Sequence, residues 1–133
     1  MKMKNMIVSF IVLFAVIFGY EFVTHGCLLS DLYDQTSSLW RSDADMQANW
    51  HYMFLAQASF AAAFVYMCCK MGDSKCTPVK CGFTVGLLLA ASQMGSYVVM
   101  PVPCMLTCAW MLIGFGKGLL CGASVWAVNK LMK

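Results

Sequence analysis

Charged residues are scarce in this chain of 133 residues. Only 11% are Asp, Glu, Lys or Arg, whereas soluble domains carry about 25%. The nine Lys and Arg residues form no basic stripe and exceed the six Asp and Glu by only three, which excludes nucleic acid as a partner. Hydrophobic residues make up 61%, more than a soluble domain of this size can bury and incompatible with disorder. The composition predicts a single transmembrane domain over residues 1–133, with the lipid bilayer as its surroundings.

The short motifs of common enzymes are also missing. There is no glycine-rich phosphate loop, nucleophile elbow or HExxH sequence, and these motifs carry the chemistry of whole enzyme classes. The eight cysteines include no CxxC pair of the kind that redox and zinc sites use. A disulfide from Cys27 to Cys104 or Cys108 stays open. We therefore expect no enzymatic activity and no bound cofactor.

Four long apolar runs dominate the sequence. They cover residues 6–24, 50–69, 81–100 and 104–128, and each approaches or exceeds the roughly 20 residues that a helix needs to cross the hydrocarbon core. The runs are continuously apolar, whereas each strand of a membrane β-barrel alternates apolar and polar residues over about ten residues. The predicted fold is all-α, a four-helix transmembrane bundle with neighbouring helices antiparallel.

The cations outside these runs lie mainly on one side of the predicted membrane. Seven lie before the first run, between the second and third, and after the fourth: Lys2, Lys4, Lys70, Lys75, Lys80, Lys130 and Lys133. The connection 26–49 has Arg41 alone, with four aspartates. The positive-inside rule then predicts cytoplasmic termini and an external 26–49 connection.

The connections contain recognisable stop and start signals. Pro101 and Pro103 predict a tight turn between the third and fourth helices. In the external connection, Leu and Tyr residues within 28–33 fall on one helical face, which predicts a short interfacial helix. Ser42 followed by Asp43 and Asp45 is typical of a helix N-terminus, so the second long helix is expected to begin near Asp43.

Two segments resemble a known group of proteins. They are His25-Gly26-Cys27-Leu28-Leu29, continued by Leu32-Tyr33, Thr36 and Leu39-Trp40-Arg41, and Ser96-Tyr97-Val98-Val99-Met100-Pro101-Val102-Pro103. Together they resemble a group of small uncharacterised bacterial inner-membrane proteins with four predicted spans. The resemblance implies the fold and a bacterial inner-membrane location, but no activity.

Glycines recur at four-residue intervals in the last two helices. Gly114, Gly118 and Gly122 do so in the fourth run, and Gly82, Gly86 and Ala90 in the third. Small residues at this spacing let helix backbones approach closely. They are expected to pack the last two helices together, with a seam between two copies of the chain as the alternative.

Lys117 is one of two charges inside the apolar runs. At 1.5 Å per residue it lies roughly 20 Å from the outer end of its helix, so its side chain is expected to reach back to the cytoplasmic interface and contact lipid phosphates. A contact with a substrate or an ion is the alternative.

Glu21 is the other such charge, close to the outer interface. By the same rise it lies some 15 Å from Lys117 in depth, which argues against a direct pair. Its expected partners are polar residues near its own level, because polar groups in hydrocarbon need partners. The predicted polar cluster is Glu21, His25, His51, Gln57, Gln93 and Thr107.

The composition of this cluster leaves several functions open. A hydrogen-bonded plug that fixes helix positions is the preferred interpretation, in a protein that acts through helix packing and outer-loop contacts as an accessory subunit or homo-oligomer. The first alternative is a small-solute or ion transporter that uses the cluster around Glu21. The second is a redox protein with a metal or haem, since Glu21, His25 and His51 offer a carboxylate and imidazoles.

Overall fold

A computed structural model describes residues 2–71 and 77–132. Six α-helices follow one another along the chain, and the described residues contain no strand. Their bounds are α1 Met3–Glu21, α2 Ser30–Gln35, α3 Asp43–Ala48, α4 Trp50–Lys70, α5 Thr77–Val99 and α6 Cys104–Leu131. A π-helix, Phe22–Leu28, continues α1, and a 3₁₀ turn, Ser37–Leu39, follows α2.

Four of these helices are long and apolar enough to cross a membrane. They are Met3–Leu28, Trp50–Lys70, Thr77–Val99 and Cys104–Leu131, with 26, 21, 23 and 28 residues. The prediction of an all-α fold with four spanning helices is confirmed. The helices extend past the predicted apolar runs. A run ends at the first polar residues, whereas helical hydrogen bonding continues through polar residues such as Thr77. The protein is thus a multi-pass membrane protein with apolar surfaces suited to lipid.

The connection after α1 is folded. The predicted short helix is present as α2, and Leu29 and Thr36 at its two ends are buried. The Trp40 Nε1 donates to Thr36 Oγ1 at 3.0 Å. The predicted helix start at Asp43 is also present, because Ser42 Oγ accepts from the Asp45 N–H at 3.3 Å. This helix ends at Ala48, and the second long helix, α4, begins at Trp50 after Asn49. The expectation that the second long helix begins near Asp43 is therefore wrong, because Asn49 interrupts the helical run.

The last two helices form the closest pair in the bundle. α5 and α6 pack along most of their length, joined by residues 100–103, while α1 packs on both α6 and α4. α4 contacts α5 only weakly. The fully buried core side chains come from all four long helices and include Leu13, Ile17, Ala61, Cys81, Cys121 and Val125. We call the end of the bundle with residues 29–49 and 100–103 the connection end.

Two other features of the sequence are the 70–80 turn and three surface cysteines. The centre of the 70–80 turn, with Lys75 and Cys76, lies outside the described residues. Cys27, Cys104 and Cys108 are free thiols on the surface, and the Cys104 and Cys108 sulfurs are 4.0 Å apart.

Candidate functional site

Glu21 and Lys117 form an ion pair between α1 and α6. Glu21 Oε1 lies 2.6 Å from Lys117 Nζ, and the side chains are 23% and 13% exposed. The expectation that these two residues lie too far apart in depth is wrong. Side chains on an α-helix lean toward its N-terminus. Because α1 and α6 are antiparallel, the Glu21 and Lys117 side chains lean toward each other. The distance between their charged groups is therefore shorter than the separation in depth calculated from the helical rise per residue.

The same lean explains where the Lys117 ammonium lies. It points toward the connection end and not toward the interface near the termini, contrary to the expected reach to lipid phosphates. Besides Glu21 it donates to Gln57 Oε1 on α4 at 3.2 Å, and it lies 4.7 Å from the centre of the Phe60 ring. A lysine that is nearly enclosed in this way joins α1, α4 and α6 at one point.

His25 extends the network from Glu21 into the connection. Its Nε2 lies 3.1 Å from Glu21 Oε2, and its Nδ1 lies 2.5 Å from the Tyr33 hydroxyl. Trp110 Nε1 donates to the same hydroxyl at 2.8 Å. Glu21, His25, Tyr33, Gln57, Trp110 and Lys117 are here called the ion-pair network. It ties the π-helix and α2 to three of the spanning helices.

The hydrogen-bond directions in the network are consistent for a neutral His25. The Glu21 carboxylate can only accept, so Nε2 carries the proton and Nδ1 accepts from Tyr33. The Tyr33 hydroxyl then accepts from Trp110 and uses its single proton on His25. Desolvation raises the pKa of Tyr33, and the negative charge of Glu21 adds to this, although the hydrogen bond from Trp110 lowers it. Tyr33 therefore stays a neutral donor at physiological pH.

A cavity of about 270 Å³ opens beside the ion pair. Polar groups line one part of it, and aromatic or apolar groups line the rest: Glu21, His25, Tyr33, Gln93 and Lys117, with Leu89, Trp110, Ile113 and Gly114. Within the part of the chain that the structure describes, the Gln93 amide has no hydrogen-bond partner. The cavity thus combines two opposite charges with an uncommitted amide.

Two members of the predicted cluster lie elsewhere. His51 is exposed at the start of α4, with its ring 4.1 Å from that of Tyr52. Thr107 is buried but donates to the Pro103 carbonyl of its own helix at 3.5 Å. A similar depth placed both residues in the prediction. His51 is six residues from Gln57 and so lies on a different face of α4. Thr107 shares the α6 face of Gly114 but lies about two turns nearer the connection end.

The suggested metal or haem ligands are therefore not assembled. Both nitrogens of His25 are engaged by Glu21 and Tyr33, and His51 lies apart. Within residues 2–71 and 77–132, no three metal-binding side chains come together.

Glycines bring α5 close enough to α6 to form one wall of the cavity. A Cβ at Gly82 would lie 2.5 Å from the Gly118 carbonyl oxygen, and one at Gly122 would lie 2.6 Å from the Pro78 oxygen. A Cβ at Gly86 would lie 2.7 Å from the Phe115 oxygen. Gly114 faces Leu89 and Ala90 beside the cavity. The predicted packing glycines all lie at this helix contact, in a single chain.

Two aromatic members of the site were missed from the sequence. Trp110, Gly114 and Lys117 occur at i, i+4 and i+7 on α6 and so share a face, a signal that could have joined Trp110 to Lys117. Tyr33 gave no such signal, because the π-helix and the bend at Leu29 set its position relative to His25.

No protein-family model, curated protein or solved structure matches the chain.

Proposed function

We propose that this membrane protein binds a small polar solute in the cavity beside Glu21 and Lys117, as the binding step of solute transport. The observation that carries the proposal is that two opposite charges within spanning helices line an open cavity. Ionisable residues inside a span are costly and usually mark a pathway or a binding site. A network that served only to hold the helices together would not need a cavity with an unengaged amide.

The size of the cavity restricts the solute. Its volume of about 270 Å³ lies at the lower end of ligand sites, which begin at about 300 Å³. Trp110 and Leu89 offer apolar contact, and Glu21, Gln93 and Lys117 supply polar contacts. A solute of a few non-hydrogen atoms fits this arrangement. The proposal includes no chemical reaction and no cofactor.

We further propose a bacterial inner-membrane location with both termini in the cytoplasm. The resemblance of the 25–41 and 96–103 segments supports the location. The orientation is supported by the distribution of cations, seven on the side of the termini and one on the side of the 26–49 connection, together with the positive-inside rule. In this orientation the cavity lies nearer the external face.

An accessory or self-associating role is the second candidate. It is favoured by the weak contact between α4 and α5, which leaves one side of the bundle available to a neighbouring helix. Purification in a mild detergent followed by mass analysis tests it. This role predicts a larger complex of fixed composition, whereas solute binding requires none.

Thermal unfolding in lipid nanodiscs tests solute binding. The solutes are ammonium and alkylammonium chlorides, sodium salts of short carboxylic acids, and small polyols. A ligand that binds only the folded state at 100 times its Kd stabilises that state by about 2.7 kcal/mol. We expect one class to raise the Tm of the wild type but not that of Gln93→Leu.

Ser92→Ala is the matched control, because Ser92 is an exposed neighbour on α5 that donates to the Leu89 carbonyl of its own helix. It should keep the shift. The proposal is wrong if no class stabilises the wild type, or if Gln93→Leu responds as the wild type does. For a solute that binds, uptake into liposomes should be lost in Glu21→Gln.

A further inference from the structure

Lys117 is held on three sides. Its Nζ donates to Glu21 Oε1 at 2.6 Å and to Gln57 Oε1 at 3.2 Å, and it lies 4.7 Å from the centre of the Phe60 ring. An anionic solute would have to share this ammonium with the Glu21 carboxylate, whose charge repels it. The cation that lines the cavity is therefore already committed to the protein.

The acceptors of the cavity are only partly engaged. An ionised carboxylate offers about four acceptor positions, and Glu21 uses one on Lys117 and one on His25. The Gln93 carbonyl oxygen has no donor among the described residues. The Gln93 amide can accept from a solute or donate to it, so the charge of the solute depends on Glu21. The unused acceptor positions of that carboxylate favour a cation that donates hydrogen bonds.

The remaining walls favour a cation with a short hydrocarbon part. Leu89, Ile113 and the Trp110 side chain line the cavity together with Glu21. Lys117 itself places a four-carbon chain ending in an ammonium against Glu21. The protein thus already holds an alkylammonium group at this carboxylate, through a covalent tether.

We propose that the cavity binds a small protonated primary amine whose ammonium group replaces Lys117 at the Glu21 carboxylate. This inference rests on the proposed function and names its solute class. On replacement, Lys117 keeps its contacts with Gln57 and Phe60, neither of which lines the cavity, but it loses its counter-charge. The amine has to offset this cost at the Glu21 carboxylate. His25 keeps its bond to the second oxygen of Glu21. Lys117 then acts as an internal competitor that leaves when the amine binds.

Tryptophan fluorescence in nanodiscs of zwitterionic lipid tests this competition. Trp110 lines the cavity and packs at 6.1 Å from Trp40, so occupancy should alter the emission. The probe is n-butylammonium chloride. It replaces an equal concentration of tetramethylammonium chloride, the control salt, whose cation has the same charge but no N–H group. We expect a saturable change in the wild type and none in Glu21→Gln.

Variants of Lys117 provide the decisive comparison. If the ion pair occupies the site nine-tenths of the time, its removal in Lys117→Met should tighten butylammonium binding about tenfold. Lys117→Arg should weaken it, because a guanidinium binds a carboxylate through two parallel hydrogen bonds. Lys117→Arg keeps the positive charge, so it tests the competition even where Lys117→Met fails to fold. Lys130→Met is the matched control, since Lys130 lies on the same helix over the Trp126 ring at 5.0 Å, and it should bind as the wild type does.

The outcomes separate this inference from the proposed function. Saturable binding of sodium propionate that survives in Glu21→Gln and is lost in Lys117→Met would make the ligand an anion. That result overturns the amine and keeps the cavity as a solute site. Absence of binding by any probe in folded wild type and Lys117→Arg would overturn both. Tighter butylammonium binding in Lys117→Arg than in the wild type would contradict the competition.

Discussion

Glu21 is the residue on which the network depends most. It accepts hydrogen bonds from two elements, with Lys117 at 2.6 Å and His25 at 3.1 Å. Charge-assisted hydrogen bonds are about twice as strong as neutral ones, and an unpaired buried partner costs more than the pair itself contributes. Its importance for stability therefore comes from what its loss would leave behind, which is a lysine inside the bundle without a counter-charge.

Replacing Glu21 should destabilise the protein in a definite order. Glu21→Gln keeps the shape and an acceptor oxygen, so we expect a loss of about 1–3 kcal/mol. Glu21→Leu leaves both partners unpaired and should cost about 3–5 kcal/mol. Unfolding in mixed detergent micelles measures both. Asp34→Asn, an exposed acid on α2, should stay within about 0.5 kcal/mol of the wild type. Equal stability of the Gln and Leu variants would mean that the carboxylate has no interior partner.

Tyr33 gives a prediction on pH. Desolvation raises its pKa above the ordinary value of 10.0, so folding favours the neutral phenol. The stability that the neutral form contributes is complete below the ordinary pKa and is lost as the pH rises through the folded value. Phenolate absorbance during alkaline titration should show a late component in the wild type that is smaller by one tyrosine in Tyr33→Phe. Tyr97→Phe, at an exposed site on α5, should keep that component, and its loss there instead would contradict the assignment.

At the scale of single residues, the sequence predicts the site in part. Glu21 and His25 are four residues apart and their contact follows from local geometry. The Lys117 contact does not follow, because it depends on the opposite lean of two side chains on antiparallel helices. His51 shows the reverse error, since a suitable depth says nothing about the direction in which a residue faces.

At the scale of elements, two features decide the geometry of the site. The π-helix Phe22–Leu28 carries His25, and its wider turns are a known feature of functional sites. Thr24 Oγ1 donates to the Tyr20 carbonyl at 2.8 Å, a type of bond that often bends helices. The other feature is the glycine contact between α5 and α6, which sets the distance of Leu89 and Gln93 from Lys117.

The glycine contact should not tolerate a large side chain. A Cβ at Gly118 would collide with the backbone of Gly86 and lie 2.5 Å from the Gly82 oxygen. Overpacking usually costs about 1–3 kcal/mol, so Gly118→Leu should lower the Tm in detergent clearly. Gly95→Leu is the matched control, because nothing lies within 4 Å of a Cβ at Gly95. If Gly118→Leu melts at the same temperature as Gly95→Leu, α5 and α6 do not meet as described.

The elements were more predictable than the site. Continuous apolar runs and the positions of Pro101, Pro103 and Ser42 carry local information on where helices begin and end. The π-helix was not predictable, because it is a small departure from α-helical hydrogen bonding that packing at Thr24 and Leu29 favours. The break at Asn49 between α3 and α4 likewise gave no strong sequence signal, since Asn interrupts helices only weakly.

At the scale of the whole molecule, the network lies at one end of the bundle. It joins α1, α4 and α6 to α2, which belongs to the connection. The rings of two of its members, Tyr33 and Trp110, pack with Trp40, with all three ring centres within 6.5 Å of one another. Solute binding in the cavity would therefore affect both the spanning helices and the connection.

The proposed orientation predicts which side the connection faces. Ser38 is exposed, so Ser38→Cys in a background without other surface thiols should react with an impermeant maleimide in intact cells. Lys70→Cys, exposed at the other end of the bundle, should react only after the cells are permeabilised. The reverse pattern would place the termini outside and contradict the positive-inside argument.

Glu21 and Lys117 pair with each other inside the bundle, beside the cavity. The most direct test is the free energy of unfolding of Glu21→Gln measured with and without Lys117→Met. Glu21→Gln should be destabilising in the wild type but neutral or stabilising with Met at position 117, because it then removes an unpaired buried charge. An equal cost in both backgrounds, within about 0.5 kcal/mol, would contradict the account.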